Sequence, residues 1–263
     1  MIETFLEKIV AKTHKKVERQ KQSTDLEALK RDAIETRAYA KPRRLRSALS
    51  RSDATNIIAE IKRASPSKGV INNNIDLTSL ARQYAAGGAS AISVLTESEY
   101  FQGSLDDLRA VRAAVDLPLL RKDFTVDEFQ IYEAAVAGAD AILLIVAALS
   151  DDDLRAFLRL SQDELGLDAL VEVHSHEELA IATEIGASII GVNNRDLHSL
   201  EVSLDVSRGL IADRPKNALM VAESGISRRA EIDELKQLGF NGFLIGETLM
   251  RTVDAAETLG AWK

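Results

Sequence analysis

Four stretches of this chain repeat one pattern, in which a helix end, a glycine and an apolar run follow one another: GGASAISVL from Gly87, AGADAILLI from Ala137, IGASIIGVN from Ile185 and LGFNGFLIG from Leu238. Each closes a helix and opens a strand. The comparable glycines Gly88, Gly138, Gly186 and Gly239 lie 50, 48 and 53 residues apart, too far for one strand–helix unit and right for two. A further strand is expected inside each interval, and apolar runs stand there: Leu117–Arg121, Ala169–Val173 and Leu219–Ala222, with Ile57–Lys62 ahead of the series. That makes eight.

Between the strands, apolar residues recur every three or four positions over 77–86, 105–114, 128–137, 154–165, 176–185 and 228–238, the spacing of amphipathic helices. Strict alternation of strand and helix over about 200 residues predicts an α/β fold, a (β/α)8 TIM barrel, with an open doubly wound sheet as the alternative. Residues 1–49 stand outside the repeat. They are expected to form an N-terminal helical extension of two or three helices packed on an end of a barrel that spans residues 50–263, the whole being one structural domain, with Pro42 marking a break between the two parts.

Composition narrows the class. With 263 residues, 46% of them hydrophobic, the chain is long enough for one large core. It has no cysteine, which excludes disulfides and thiolate metal sites. The longest apolar run, from Ala141 to Leu149, is nine residues, against the roughly 20 that a membrane helix requires. The opening MIETFLEKIV lacks the layout of a secretion signal, so a cytoplasmic protein with no membrane contact is expected. The net charge of −8 is uneven, because residues 1–68 hold 17 Lys/Arg against 9 Asp/Glu and residues 69–263 hold 16 against 32. In the basic part, acidic residues interleave at helical spacing and aromatic residues are sparse, the pattern of a solvated helix face and not of a nucleic-acid surface. A basic segment near the site of an anionic small molecule would also raise its encounter rate.

In such a barrel the chemistry sits where the strands end. The first strand ends in Glu60 and Lys62, the second in Thr96 and Glu97, the third in Lys122 and Asp123, and the fifth in Glu172 and His174. The sixth runs into Asn193, Asn194 and Arg195, the seventh into Glu223, Ser224 and Gly225, and the eighth into Gly246 and Glu247. Glu60 and Lys62 are two residues apart in a strand and share a face; a structural ion pair on an edge strand is the bland alternative, since isolating either charge from water costs several kcal/mol. Lysines among carboxylates are how a site separates an acid from a base. The small residues after the last two strands suit a phosphate, whose oxygens approach glycine N–H groups closely. His174 and His176 form a His-x-His pair, but it leads into SHEEL, a helix start, so surface or capping roles are expected. No Walker-type loop or dinucleotide fingerprint is present, and acid–base chemistry without metal or cofactor is expected.

Read in order, IIAEIKRASPSKG, SVLTESEYFQGS, LLRKDFTVDEFQIYEA, LDALVEVHSHEEL, IIGVNNRDL, VAESGIS and FLIGETLM resemble the motifs of the indole-3-glycerol-phosphate synthase family, over nearly the whole chain. The sequence departs from the family pattern in NNNID after Ile71 and in PRRLRSAL near residue 45. The resemblance implies a barrel enzyme of tryptophan biosynthesis, a carboxy-lyase. It would close 1-(2-carboxyphenylamino)-1-deoxyribulose 5-phosphate to indole-3-glycerol phosphate with loss of CO2 and water and no cofactor. It implies Lys122 as general acid, Glu172 as base, Lys62 as an anion contact and second proton donor, Glu60 as the group holding the lysines, and Glu223 as a further acid. Asn193 and Arg195 would lie near the anthranilate ring and its carboxylate, and Ser224, Gly225, Gly246 and Glu247 would cradle phosphate beside Lys62. Ser65 is a further substrate contact, and Phe124, Leu197 and Ile245 are candidate ring walls or core residues. The partner expected is a small phosphorylated anion, and the working unit a monomer. Two other readings stay open: a related phosphate-binding isomerase of the same pathway, and a non-catalytic barrel kept as a binding subunit.

Overall fold

Side chains along a strand alternate between two faces, and in this molecule one face of every strand turns into the centre of a barrel. The eight strands are β1 (Ile57–Ile61), β2 (Ala91–Leu95), β3 (Leu119–Lys122), β4 (Ala141–Ile145), β5 (Asp168–Val173), β6 (Ile189–Asn193), β7 (Leu219–Glu223) and β8 (Gly242–Ile245). All neighbours pair in parallel, and β1 closes the ring by pairing with both β8 and β2. The structure is a computed structural model that describes residues 4–66, 69–72, 75–197 and 199–263. Residues 1–3 of the opening stretch, Ser67 of the SPSKG turn, Asn73 and Asn74 of the NNNID segment and His198 lie outside those residues.

Each strand interval carries helices on the outside. These are α4 (Leu77–Gly87), α5 (Leu105–Ala114), α6 (Glu128–Val136), α7 (Asp151–Arg159), α8 (His176–Glu184), α9 (Asp205–Leu210) and α10 (Arg229–Leu238), with α11 (Glu247–Arg251) and α12 (Ala255–Ala261) after β8. Side-chain caps set several starts: Asp76, Ser104, Asp127, Ser150 and Ser175 each accept a hydrogen bond from an N–H of the first turn. The stretch expected as one helix over 154–165 starts earlier, at the Ser150 cap, because the first turn is the polar Asp151-Asp152-Asp153; it ends in a π-helical turn, Leu160–Glu164. Three short helices, α9, α11 and α12, and a two-stranded hairpin of Ala64–Ser65 with Gly69–Val70 were not expected.

The inward positions fall into two layers. Toward the N-terminal ends of the strands Ile58, Ala91, Leu120, Ala141, Leu170, Ile189 and Val221 form an apolar floor. Two residues further along, on the same face, stand Glu60, Lys122, Glu172 and Glu223, and four beyond Ile189 stands Asn193. The floor is closed from below by the extension. Its three helices are α1 (Phe5–Ser23), α2 (Leu26–Ala38) and α3 (Arg44–Leu49), and Leu45 and Leu49 of α3 pack into the apolar layer. Here the extension reaches both rims instead of one. The helix α1 lies on the strands' C-terminal side, where Lys12 bonds Glu99 and Tyr100, Lys16 reaches Ser98 at 3.1 Å, and Lys21 pairs with Asp127 at 2.9 Å. The helix α2 runs along α6 to the other rim. There Arg37 donates to the carbonyls of Ala139, Leu165 and Gly166. Asp140 receives Arg112 at 2.9 Å and Arg44 at 3.3 Å, and Asp168 accepts the Arg46 N–H at 2.8 Å. Carboxylates this deeply buried require such partners.

Leu49 is buried between α3 and the barrel floor. Leu49→Ala is expected to lower stability by about 2–5 kcal/mol through the cavity it leaves, read as a lower urea midpoint at unchanged slope. A loss within about 0.5 kcal/mol would show that α3 is not part of the core.

Candidate active site

The charged upper layer opens into a cavity of about 900 Å³ at the C-terminal ends of the strands. Every one of the fifteen residues expected at the site lines it: Glu60, Lys62, Ser65, Lys122, Phe124, Glu172, Asn193, Arg195, Leu197, Glu223, Ser224, Gly225, Ile245, Gly246 and Glu247. The other polar residues expected at strand ends do structural work. Thr96 donates to Asp123 at 2.6 Å and receives Arg121 at 3.2 Å, and Arg121 pairs with Asp123 at 3.1 Å, a buried clamp on either side of Lys122. Glu97 caps the N–H groups of Glu99, Tyr100 and Phe101. Asn194 donates to the carbonyls of Glu223 and Ser224 and accepts from the Ser207 N–H, tying β6, β7 and α9 together.

At the centre, Lys122 Nζ donates to Glu172 Oε2 at 2.7 Å and to Glu223 Oε2 at 3.0 Å. Glu172 Oε1 accepts from Asn193 Nδ2 at 3.1 Å, and Lys62 Nζ donates to Glu60 Oε1 at 2.7 Å. These pairs follow from register, because Asn193 lies opposite Glu223 and Glu172 lies opposite Gly191 on neighbouring strands. Gly191 leaves the space that Glu223 fills, for a Cβ there would overlap Glu223 Oε1; Gly246 does the same for Glu60.

The electrostatics are set by burial and close pairing. Burial alone would strip Lys122 of its proton, but the charges of Glu172 and Glu223 outweigh it and hold the ammonium well above its ordinary range. Burial pushes Glu172 up, and Lys122 together with His174 more than reverses this, keeping it ionised. Glu223 goes the other way: burial raises it, Lys122 offsets part of the rise, Glu172 adds to it, and the carboxyl is pushed up to about 7. One carboxylate therefore stays charged while its neighbour holds a proton near neutrality.

At the β7 end, Ser224 (φ 64°) and Gly225 (φ 81°) both sit in the left-handed region. For Ser224 that conformation costs about 1–3 kcal/mol, the kind of strain that persists at functional turns. The apolar side carries Phe124 and Ile245, and also Leu95, Phe101, Phe5 and Ile226, which sequence reasoning did not single out. Phe101 stands 6.4 Å from Phe124 ring to ring, and Phe5 packs edge-on against Tyr100 at 5.1 Å. Phe101 lies in a motif-bearing loop, where it could have been found; Phe5 reaches the mouth from the extension and left no signal in the repeat. Of the two paired histidines, His176 is exposed and meets Asp213 at 2.8 Å, as a surface role requires. His174 does not fit the expected surface or capping role. It is largely buried, with its ring between Glu172 and Glu178.

A closed parallel barrel with alternating helices and a buried lysine between carboxylates at its C-terminal mouth is a (β/α)8 barrel with a charged site where its strands end. A profile described as indole-3-glycerol phosphate synthase matches residues 6–261. The chain is 46% identical over 259 residues to the indole-3-glycerol phosphate synthase of Carboxydothermus hydrogenoformans, covering 97% of this chain and 98% of that one. It is 52% identical over 203 residues to the protein of the same name from Dehalococcoides mccartyi, covering 76% and 78%. Among solved structures, thiamine phosphate pyrophosphorylase from Pyrococcus furiosus superposes with a TM-score of 0.60 at 18% identity, covering 83% of this chain and 95% of that one, a likeness of fold. The N-acetylmannosamine-6-phosphate 2-epimerase from Clostridium perfringens does so with a TM-score of 0.57 at 14% identity, covering 73% and 86%. The chain belongs to the indole-3-glycerol phosphate synthase family and is an enzyme of the lyase class.

The raised proton affinity of Glu223 has a checkable sign. Because the folded carboxyl holds its proton above the roughly 4.3 of an unfolded glutamate, its contribution to stability is present below that value and is lost as pH rises to about 7. Carbon-13 NMR of the glutamate carboxyls should show one signal titrating near neutrality, absent from Glu223→Gln. A protein whose carboxyls all titrate below pH 5 would contradict this description.

Proposed function

We propose that this cavity closes 1-(2-carboxyphenylamino)-1-deoxyribulose 5-phosphate to indole-3-glycerol phosphate, with Lys122 as general acid and Glu172 as general base. The observation that carries the assignment is Lys122 Nζ, buried and bracketed by Glu172 at 2.7 Å and Glu223 at 3.0 Å on the inner face of the barrel mouth. An aryl carbon is a weak nucleophile, so the ketone must be polarised and the two carbons held in contact. Lys122 delivers a proton to the ketone oxygen as the ring carbon attacks. The carboxylate on that carbon then leaves as CO2, returning its electron pair to the ring. In the dehydration that follows, the new hydroxyl departs as water with a proton from Lys62, and Glu172 accepts the proton released as the indole becomes aromatic.

The rest of the lining divides the substrate between two ends. Ser224, Gly225, Gly246 and Glu247 offer backbone N–H groups to the phosphate, with Lys62 as its counter-charge, and the left-handed Ser224–Gly225 pair supports that reading. Arg195, whose backbone N–H donates to Asn193 Oδ1 at 3.0 Å, faces the anthranilate carboxylate, with Asn193 and Ser65 alongside. Phe124, Leu197 and Ile245 wall the ring. Glu60 holds Lys62, and Glu223, with its proton near neutrality, is a proton reserve beside the acid. We take the working unit as a monomer, and membership of a biosynthetic family supports a cytoplasmic enzyme.

The test is indole fluorescence after mixing the protein with the carboxyphenylamino-deoxyribulose phosphate in EDTA. Product is expected. Lys122→Met should bind the substrate with little change while turnover falls at least about a hundredfold, the typical contribution of a positioned acid. Near-normal turnover would remove Lys122 from the role, and a folded parent that binds substrate without forming product would leave a binding barrel.

A further inference from the structure

His174 does not line the cavity, yet it touches the group read as the base. Its Nε2 lies 3.4 Å from Glu172 Oε1, an ion-pair distance at which Nε2 makes no hydrogen bond, and its Nδ1 is hydrogen-bonded to Glu178 Oε2 at 3.2 Å, on the first turn of α8. Glu178 Oε2 also accepts the His174 backbone N–H at 2.7 Å, which fixes the anchor. A neutral imidazole carries one N–H and one lone pair. Placed between two carboxylate oxygens, it would turn that lone pair on one of them; only the imidazolium turns positive charge to both, hydrogen-bonding Glu178 and standing at ion-pair distance from Glu172. We propose that His174 is a positioning residue for the base: as an imidazolium clamped between Glu178 and Glu172, it steadies Glu172 Oε1 and keeps that carboxylate ionised beside Lys122.

Glu172 then has a cation at each oxygen, Lys122 at Oε2 and His174 at Oε1, with Asn193 completing the Oε1 side. The other charges acting on this group are Glu223 on β7, and Glu60 on β1 through its field at Lys122 and Glu223. The charges facing His174 itself are Glu172 on its own strand and Glu178 on α8. Burial alone would take the proton from His174; the two glutamates outweigh it and hold the ring up to about 10. The arrangement gives the base a low resting proton affinity that does not depend on Lys122 alone. Glu172 therefore stays a carboxylate when Lys122 has given its proton to the substrate.

The inference rests on Glu172 being the base, so its test has two readouts. In the first, kcat/KM is followed against pH for the parent and for His174→Gln. Removing a unit charge this close should move the acid limb upward by at least about one pH unit, with KM changed less than threefold, because His174 lies outside the cavity lining. An unmoved limb in folded His174→Gln would overturn the inference while leaving the assignment of Glu172 intact. In the second, which requires neither variant nor substrate, nitrogen-15 NMR of the parent's histidine rings is followed from pH 5 to 9. One ring should stay doubly protonated past pH 8 while ordinary histidines titrate near 6.5. If every ring loses its proton near 6.5, the clamp does not exist, whatever the activity. A parent that makes no product would overturn both readings of Glu172.

Discussion

A lysine can be kept charged in the middle of a protein only if the charge it needs is already there, and the upper half of this barrel is organised around that requirement. Isolating an ammonium from water costs several kcal/mol, so Lys122 is stable as a cation because Glu172 and Glu223 meet it from two other strands. Those carboxylates are in turn costly to bury. Asn193 and His174 share Glu172, and Gly191 makes room for Glu223. The compensations come from β3, β5, β6 and β7, which a closed ring of strands brings to one centre.

The same alternation that gathers the charges also isolates them from the far end. Two residues down β1, β3, β5 and β7 the inward face is aliphatic, and Leu45 and Leu49 seal it. Polar chemistry above and an apolar seal below are thus written on one face of the same strands. The Thr96–Asp123–Arg121 clamp sits on the other face, where it fixes the end of β3 without entering the chemistry.

How much of this could be read beforehand depends on how far each signal extends along the chain. The eight strands were legible because apolar runs recur at a regular spacing, and the polar site residues because strands of this fold present their ends to one mouth, whereas Phe124, Leu197 and Ile245 were named beside the family resemblance. Short elements were not: α9, α11, α12 and the Ala64–Ser65 hairpin are too brief to show a period. His174 was misread because the strong helix-start signal of Ser175 and Glu178 hides its burial between Glu172 and Glu178. Phe5 was missed because what brings it to the mouth is the docking of α1 on Lys12 and Lys21 contacts with distant loops, and no local pattern encodes that.

The extension's reach to both rims bears on the order in which the molecule assembles. Arg37, Arg44 and Arg46 dock on Ala139, Asp140, Gly166 and Asp168, about a hundred residues or more further along the chain, and Asn56 donates to the carbonyl of Asn241 beside the closing seam. Such distant partners carry a loop-closure cost that is recovered only once β4 and β5 exist. The seal beneath the barrel is therefore a late-docking piece, and a chain that has not yet formed its middle strands lacks it.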